Sequence, residues 1–244
     1  MSTLQLSKVS VSAHEKVVVK DFDLTLHLGE LYVLMGANGS GKSSLVNGIF
    51  GHPKYTLTGG TILLDNEDIT QFVTEEKARK GLFLSMQHLP NIAGVTLVNF
   101  LHRIAKEVYG NTDSPIAFYD DLVKSADEFG LDKGLLLREV NNGLSGGEKK
   151  QAELLQLIAL RPQFAFLDEI DAGMDLDVQK KLHRVIDHLR KSGMGIVLVS
   201  HHLHILKELA PESVLVMKEG RIVESGGAEL VDRILSEGFA GLVE

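Results

Sequence analysis

The sequence predicts an α/β fold with a mainly parallel core sheet, an N-terminal antiparallel β subdomain and a helical insertion. The continuous apolar run at residues 31–35 is typical of a strand buried on both faces of a parallel sheet, and two further strands are predicted at residues 164–167 and 195–200. Between about residues 91 and 140, apolar residues instead recur at helical spacing. The order of a strand, an amphipathic helix and a strand across residues 164–200 predicts a parallel crossover unit.

The size and composition of the chain favour one globular core. With 244 residues, 44% of them hydrophobic, the chain can bury one large α/β core with an inserted subdomain. It has no apolar run near the ~18 residues that a membrane span requires, and it does not start with a basic segment followed by an apolar one. We therefore expect a cytoplasmic protein without direct membrane insertion.

The charge and the lack of cysteine narrow the classes of partner and chemistry. The formal net charge is −8, which argues against nucleic acid as the main partner, because phosphate backbones are bound mostly by clustered Lys and Arg. The chain contains no cysteine, so it can form no disulfide and can supply no thiolate to zinc or to an iron–sulfur cluster. In metallocluster chemistry, another protein would have to hold the cluster.

Short β segments are predicted at the N-terminus, at residues 4–6, 17–19 and 22–28. A Gly-Glu turn separates the last of these from the apolar run at residues 31–35, which leads directly into a glycine-rich loop. The further predicted elements are a helix at residues 44–50, a strand at 61–64, an amphipathic helix at 178–189, and a hairpin formed by 214–217 and 221–223.

The glycine-rich loop matches the phosphate-loop pattern G-x-x-x-x-G-K-[ST] at every fixed position, and it lies between a predicted strand and a predicted helix. Its residues are Gly36, Ala37, Asn38, Gly39, Ser40, Gly41, Lys42 and Ser43, followed by Ser44. Backbone N–H groups in such a loop cradle phosphate, and the helix dipole adds to the attraction. We expect Lys42 to neutralise β- and γ-phosphate oxygens and the Ser43 hydroxyl to coordinate Mg²⁺. The pattern therefore predicts an ATP site.

Two carboxylates follow the predicted strand at residues 164–167. Ligands of open parallel sheets collect at the carboxyl ends of the strands, where Asp168 and Glu169 are expected. Asp168 is placed to hold Mg²⁺, and Glu169 to accept a proton from an attacking water as the general base. His201 follows the strand at residues 195–200, from where its side chain can reach the γ-phosphate and help to fix that water.

A second anion-binding helix start is predicted at the segment Leu-Ser-Gly-Gly-Glu. Ser145 is a suitable N-cap, and Gly146, Gly147 and Glu148 open the helix. One chain has little use for two such sites on a single ATP. In a head-to-tail pair, the Ser145 element of one copy can close over the γ-phosphate that Lys42 of the other copy holds.

These motifs, in this order, resemble the ABC class of ATPases. The resemblance implies one ABC ATPase domain over residues 1–244, with a nucleotide-binding core at 1–90 and 160–244 and a helical subdomain carrying the signature motif at 91–159. In the ABC pattern, a glutamine at the position of Gln87 contacts Mg²⁺ and the attacking water. The loop around Asp175 would lie at the interface between the two copies.

Several segments depart from the usual pattern of transport motors. Those motors usually read D-E-P-T after the strand, whereas this chain continues from Asp168-Glu169 with Ile170-Asp171. After the signature they usually carry glutamines and an arginine, where this chain has Lys149-Lys150. In these features the chain closely resembles the SufC family, the ATPases of the SUF iron–sulfur cluster assembly system. Ser85 departs from that family too, since an alanine is usual at its position.

The resemblance to the SufC family implies ATP and Mg²⁺ as cofactors, a second copy of the chain as an ATP-dependent partner, and SUF scaffold proteins as further partners. ATP would draw the two copies together and act mechanically on the scaffold. Two alternatives remain at this point. One is a transport motor docked on separate membrane subunits, and the other is a nucleotide-gated regulator that hardly turns over ATP; the intact Glu169 argues against the regulator.

Overall fold

The structure is a computed structural model that describes residues 2–85, 91–110, 112–200, 206 and 208–238. The β-strands are β1 (Thr3–Ala13), β2 (Lys16–His27), β3 (Leu31–Met35), β4 (Tyr55–Leu64), β5 (Glu67–Asp68), β6 (Leu82–Ser85), β7 (Ile92–Thr96), β8 (Glu139–Val140), β9 (Phe164–Asp168), β10 (Gly195–Val199), β11 (Ser213–Lys218) and β12 (Arg221–Gly226). The α-helices are α1 (Lys42–Ile49), α2 (Thr74–Arg79), α3 (Leu97–Tyr109), α4 (Pro115–Phe129), α5 (Gly146–Leu160), α6 (Leu176–Lys191) and α7 (Ala228–Glu237). A short 3-10 helix spans Lys133–Leu137.

The central sheet has six strands in the order β12-β11-β3-β10-β9-β6. Every neighbouring pair is parallel except β11 and β12, which form the antiparallel hairpin predicted from the sequence. β9, α6 and β10 form the predicted crossover unit, because β9 and β10 pair in parallel. The carboxyl ends of β3, β9 and β10 therefore meet at one edge of the sheet.

Each central strand is buried on both faces, which explains its continuous apolar sequence. On β9, Ala165 and Leu167 pack into the core between the sheet and helices α3–α6, while Phe164 and Phe166 pack into a second core beneath the N-terminal sheet. On the second face, the ring of Phe50 at the end of α1 contacts the ring of Phe166 edge-on, with a centroid distance of 5.5 Å. This packing fixes the end of β9 relative to α1.

The N-terminal subdomain is an antiparallel sheet in the order β2-β1-β4-β5. The sequence predicts short separate segments here, whereas β1 and β2 are single strands of 11 and 12 residues. The pairing of β1 with β2 shifts register between Leu6 and Val9, and Lys8 and Asp21 have positive φ angles of 50° and 49°. These irregularities interrupt the alternation of apolar and polar residues without ending the strands.

Residues 92–160 contain α3, α4 and α5, together with a small antiparallel sheet of β7 and β8 that the sequence did not indicate. Val98, Leu101 and Ala105 of α3 are buried, as the helical periodicity predicts. The division of the chain at residues 91 and 159 stays a prediction. Among the described residues, no helix combines the length and the apolar composition needed to cross a membrane. The mixed parallel sheet with its antiparallel subdomain confirms the predicted fold class.

Candidate functional site

The loop Gly36–Gly41 joins β3 to α1, and its shape depends on glycine. Gly36 and Gly41 have φ angles of 144° and 110°. A Cβ atom on Gly36 would lie 2.2 Å from the carbonyl oxygen of Met217, and one on Gly41 would lie 2.9 Å from the carbonyl oxygen of Val18. Neighbouring backbone thus approaches both glycines so closely that no side chain fits. Among the described residues the other side of the loop is open, since a Cβ on Gly39 would meet none of their atoms within 4 Å.

Lys42, the first residue of α1, places its ammonium group inside the loop. The residue is 4% exposed, and its Nζ donates hydrogen bonds to the carbonyl oxygens of Gly36 at 2.9 Å and Ala37 at 3.1 Å. Burial lowers the pKa of this ammonium, while the carboxylates of Glu169 and Asp168 oppose the shift. Neutral oxygens therefore hold a buried cation beside the open side of the loop, where an anionic phosphate would be attracted to it.

Asp168 ends β9 and faces the start of α1. The residue is 2% exposed, and its Oδ1 accepts a hydrogen bond from the hydroxyl of Ser43 at 3.1 Å. Burial raises the pKa of Asp168 to about 6, an effect that the hydrogen bond from Ser43 partly opposes. A hydroxyl oxygen and a carboxylate oxygen next to a phosphate-binding loop are the ligand types that Mg²⁺ prefers. The residues present thus fit a Mg²⁺–nucleotide complex.

Glu169 follows in a left-handed backbone conformation, with φ at 52°. Its N–H donates to the carbonyl oxygen of Val199 at 3.0 Å, and its carbonyl oxygen accepts from the N–H of Ala172 at 3.1 Å and from Nζ of Lys150 at 3.5 Å. The half-buried side chain lines a cleft of about 330 Å³. The other residues that line it are Val18, Asn38, Gly39, Gly41, Lys42, Ser43 and Ser44. Glu169 thus faces the same cleft as the loop.

The segment Ser145–Glu148 begins α5 with a reciprocal cap. The hydroxyl of Ser145 accepts from the N–H of Glu148 at 3.3 Å, and Oε2 of Glu148 accepts from the N–H of Ser145 at 2.8 Å. These contacts confirm that Ser145 is the predicted N-cap. Hydrogen bonds to the Glu148 carboxyl from the backbone N–H and then the hydroxyl of Ser145, with Arg138 nearby, hold the pKa of that carboxyl below its usual range. A Cβ atom on Gly146 or Gly147 would meet no neighbouring atom of the described residues within 4 Å, so packing in that part of the chain does not require either glycine.

The structure brings some of the predicted site residues together and leaves others apart. The phosphate loop, Asp168 and Glu169 meet at the cleft, whereas Ser145–Glu148 is not among the segments that line it. Asp175 is the N-cap of α6, and its Oδ1 accepts from the N–H of Val178 at 2.9 Å. Two predicted residues, Gln87 and His201, lie outside the described residues. The roles assigned to all these side chains stay predictions.

A buried polar network next to the site was not found by sequence reasoning. On α5, Nζ of Lys150 lies 3.1 Å from Oε2 of Glu153, and the hydroxyl of Ser85 donates to Oε1 of Glu153 at 2.7 Å. Burial raises the pKa of the Glu153 carboxyl, while Lys150 and the Ser85 hydrogen bond act against it. The signal was present in the sequence, because Lys150 and Ser85 are two of the positions that depart from the usual patterns.

The raised pKa of Asp168 leads to a prediction about stability. Because this pKa of about 6 lies above the unfolded value, the protonated form stabilises the fold; that contribution is complete below about pH 4 and is lost as pH rises through 6. Above that pH the ionised buried carboxylate is a cost. Asp168→Asn should therefore raise the free energy of unfolding of the nucleotide-free protein at pH 8 by about 1–3 kcal/mol.

Denaturant unfolding at pH 8 and pH 4.5 checks this prediction, with the wild-type chain measured in parallel. The gain should shrink at pH 4.5, where the wild-type carboxyl is largely protonated in the folded state. With Mg²⁺ and ATP added at pH 8, the wild-type protein should gain more stability than the variant, because only its carboxylate can hold the cation. An equal gain at both pH values would mean that the charge of Asp168 is not the cause.

A strand, a glycine-rich loop and a helix around a buried lysine, with two carboxylates beside them, define a phosphate-loop nucleotide-binding protein. A family profile described as "ABC transporter" matches residues 19–172. Over 98% of this chain and 92% of its own length, Vegetative protein 296 of Bacillus subtilis (strain 168) is 39% identical. A probable ABC transporter ATP-binding protein of Streptococcus pyogenes serotype M3 is 40% identical over 100% of this chain and 96% of its own length.

Two further similarities point the same way. The probable ATP-dependent transporter ycf16 of Cyanophora paradoxa is 36% identical over 99% of this chain and 95% of its own length. The solved structure of an ATP-binding subunit of an ABC transporter matches the fold with a TM-score of 0.82, at 22% identity and 99% coverage of both chains.

The chain belongs to the ABC transporter ATPase family. It is therefore an ABC-type ATPase, which hydrolyses ATP to ADP and phosphate and uses Mg²⁺ with the nucleotide. ABC ATPases work as dimers, together with membrane components or other proteins.

Proposed function

We propose that this chain is the ATPase of a SUF iron–sulfur cluster assembly complex and that it acts on scaffold proteins rather than on a membrane channel. One observation carries the proposal: residues that set this sequence apart from transport motors make contacts at the hydrolytic site. Nζ of Lys150 lies 3.5 Å from the carbonyl oxygen of Glu169, and the carboxylate of Asp171 accepts a hydrogen bond from Ser200. Two residues that carry the resemblance to the SufC family thus lie beside the proposed catalytic base, one in contact with its carbonyl oxygen and one two positions further along the chain.

At this site each residue has a proposed role in hydrolysis. Lys42 neutralises the β- and γ-phosphate oxygens while backbone N–H groups of the loop cradle them. Ser43 and Asp168 would hold Mg²⁺, and Glu169 would accept the proton of the attacking water. From outside the described residues, Gln87 would complete the cation site, and His201 would fix the water near the γ-phosphate.

The other half of the site comes from a second copy of the chain. Ser145, Gly146, Gly147 and Glu148 of one copy close over the phosphates held by the other, with the Asp175 loop at the shared interface. ATP then favours the closed pair over the open one, and this difference in free energy is available to change the conformation of a bound scaffold. The chain has no cysteine, which suits a motor that never holds the cluster itself.

The second candidate is the nucleotide-binding motor of a membrane transporter. The names of the relatives from Streptococcus pyogenes and Cyanophora paradoxa, both of which call the protein a transporter or a transporter subunit, favour it. The two candidates share the ATP site and differ in the partner, so the partner is what has to be measured.

Co-purification from cells that contain both classes of partner distinguishes the two candidates. We expect the tagged chain, purified from a detergent-solubilised whole lysate, to recover scaffold proteins of the SUF system. The Lys42→Ala variant, which should not bind ATP, serves as the matched control and separates ATP-dependent partners from constant ones. Depletion of the chain should also lower the activity of iron–sulfur enzymes, and the wild-type gene but not Lys42→Ala should restore it. Recovery of integral membrane subunits instead would overturn the proposal.

A further inference from the structure

Asp171 is a buried carboxylate next to the cleft that none of the proposed roles uses. It is 1% exposed, and its Oδ2 accepts a hydrogen bond from the hydroxyl of Ser200, which is 0% exposed. Its other oxygen, Oδ1, is buried and has no hydrogen-bond partner in the part of the chain that the structure describes. An incompletely paired buried carboxylate costs stability, so the contacts within the described part of the chain do not explain an acid at this position by stability alone.

The contact between Asp171 and Ser200 joins the ends of two neighbouring strands. Asp171 lies in the loop after β9, two residues beyond Glu169, and Ser200 follows directly after β10. The same two strand ends share one backbone bond, from the N–H of Glu169 to the carbonyl oxygen of Val199 at 3.0 Å. The side-chain contact is thus a second link between the ends of β9 and β10. It is made two residues after Glu169, whereas the backbone bond is made by Glu169 itself.

The backbone of Glu169 needs such support. Its φ angle of 52° is in the left-handed region, which a residue with a Cβ atom adopts only at a cost in energy. Conformations of this kind persist where the surroundings fix them from several sides. Here the bond to Val199 holds the start of the turn, the bond from Ala172 closes it, and Asp171 ties the turn to Ser200.

We propose that Asp171 is a positioning residue for ATP hydrolysis: by accepting the Ser200 hydrogen bond, it keeps Glu169 in the left-handed conformation that directs its carboxylate into the cleft. The inference rests on the proposed role of Glu169 as the general base. Without this link, the turn relaxes toward ordinary backbone angles and the carboxylate leaves the position of the attacking water. Phosphate binding by the loop does not depend on the turn, so turnover falls while ATP affinity remains.

The test compares kcat and KM for ATP in Asp171→Ala, Ser200→Ala and the double variant. Each single variant should lower kcat by about 5- to 30-fold, because a residue that is no longer held in the left-handed conformation populates it less by about that factor. The KM for ATP should change by less than about twofold. The double variant should be no slower than the slower single variant, because both changes remove the same link. In Asp171→Asn, the amide oxygen still accepts from Ser200, so this variant should keep kcat within about threefold of wild type without losing thermal stability.

Thr74→Val is the matched control. It removes another side-chain hydrogen bond, from the Thr74 hydroxyl to the carbonyl oxygen of Phe50 at 2.8 Å, and should lower thermal stability without changing kcat. Loss of stability with unchanged kcat in Asp171→Ala and Ser200→Ala would overturn the inference, as would a rise in KM at constant kcat. Should Asp171→Ala fail to fold, Ser200→Ala and Asp171→Asn decide the matter alone. Glu169→Gln is measured in parallel: if it retains full turnover, the proposed base is wrong, whereas its loss beside active Asp171→Ala and Ser200→Ala refutes only the positioning role.

Discussion

Glu169→Gln is expected to slow ATP hydrolysis by about 10²- to 10⁴-fold, the usual contribution of a general base. The side chain lies in the cleft with Lys42 and Ser43, where a water attacking the γ-phosphate has to lose a proton. Glutamine has nearly the same shape but cannot take up that proton. The phosphate loop and Asp168 are unchanged, so ATP and Mg²⁺ should still bind.

The same variant should accumulate as an ATP-bound dimer, because the closed pair forms and cannot discharge its nucleotide. Steady-state turnover measures the first effect, and light scattering with and without ATP measures the second. Glu67→Gln is a matched control: it makes the same chemical change at an exposed glutamate that pairs with Lys80, and it should leave both quantities unchanged. Unchanged turnover in Glu169→Gln would remove this residue from the role of base.

The core of the fold was predictable because its signals are local. The runs that became β3, β9 and β10 are apolar on both faces, and such runs fit few structures other than buried parallel strands. The long strands β1 and β2 were not predictable as single elements. Their bulges place residues such as Lys8 at positive φ, so the pattern in the sequence looks broken where the strand in fact continues.

The candidate site likewise has a part that the sequence predicts and a part that it does not. The phosphate loop is contiguous in sequence, so its residue types and its place between a strand and a helix were enough to predict it. The contacts of Ser85 with Glu153 and of Ser200 with Asp171 join residues 68 and 29 positions apart. Only the packing of α5 against the sheet and the crossover between β9 and β10 bring these pairs together. No local sequence pattern predicts contacts between residues so far apart in the chain, although the unusual residues Ser85 and Asp171 were noticed in the sequence.

The signature segment, Ser145–Glu148, should act on the nucleotide of the other copy. A substitution at Gly147 tests this and should leave the fold intact. Gly147 lies in the first turn of α5, where an added Cβ atom would meet no neighbouring atom within 4 Å among the described residues. Gly147→Leu should therefore stabilise the helix, by about 1 kcal/mol, since glycine is a poor helix former. In a closed pair the new side chain would occupy the space over the partner's phosphates. ATP turnover should fall by at least about 10²-fold.

Mixing variants then separates action between copies from action within one chain. Lys42→Ala and Gly147→Leu are each inactive, but a mixed pair contains one intact loop facing one intact signature. If the signature acts across the pair, an equal mixture should recover up to about a quarter of wild-type turnover, because half the pairs are mixed and each has one working site. If it acted within its own chain, the mixture would recover nothing.

The reciprocal mixture is the control. Here action across the pair predicts less turnover than action within one chain, whereas in the first mixture it predicts more. Wild-type chain is mixed equally with a chain that carries both Lys42→Ala and Gly147→Leu. If the signature acts across the pair, then in a mixed dimer the intact loop faces a defective signature and the intact signature faces a defective loop. Only pairs of two wild-type chains then work, and turnover is about a quarter of wild type. Within one chain, every wild-type copy would stay active and turnover would be about half. Recovery in the first mixture together with suppression in the second can only arise if each hydrolytic site takes its loop from one copy and its signature from the other.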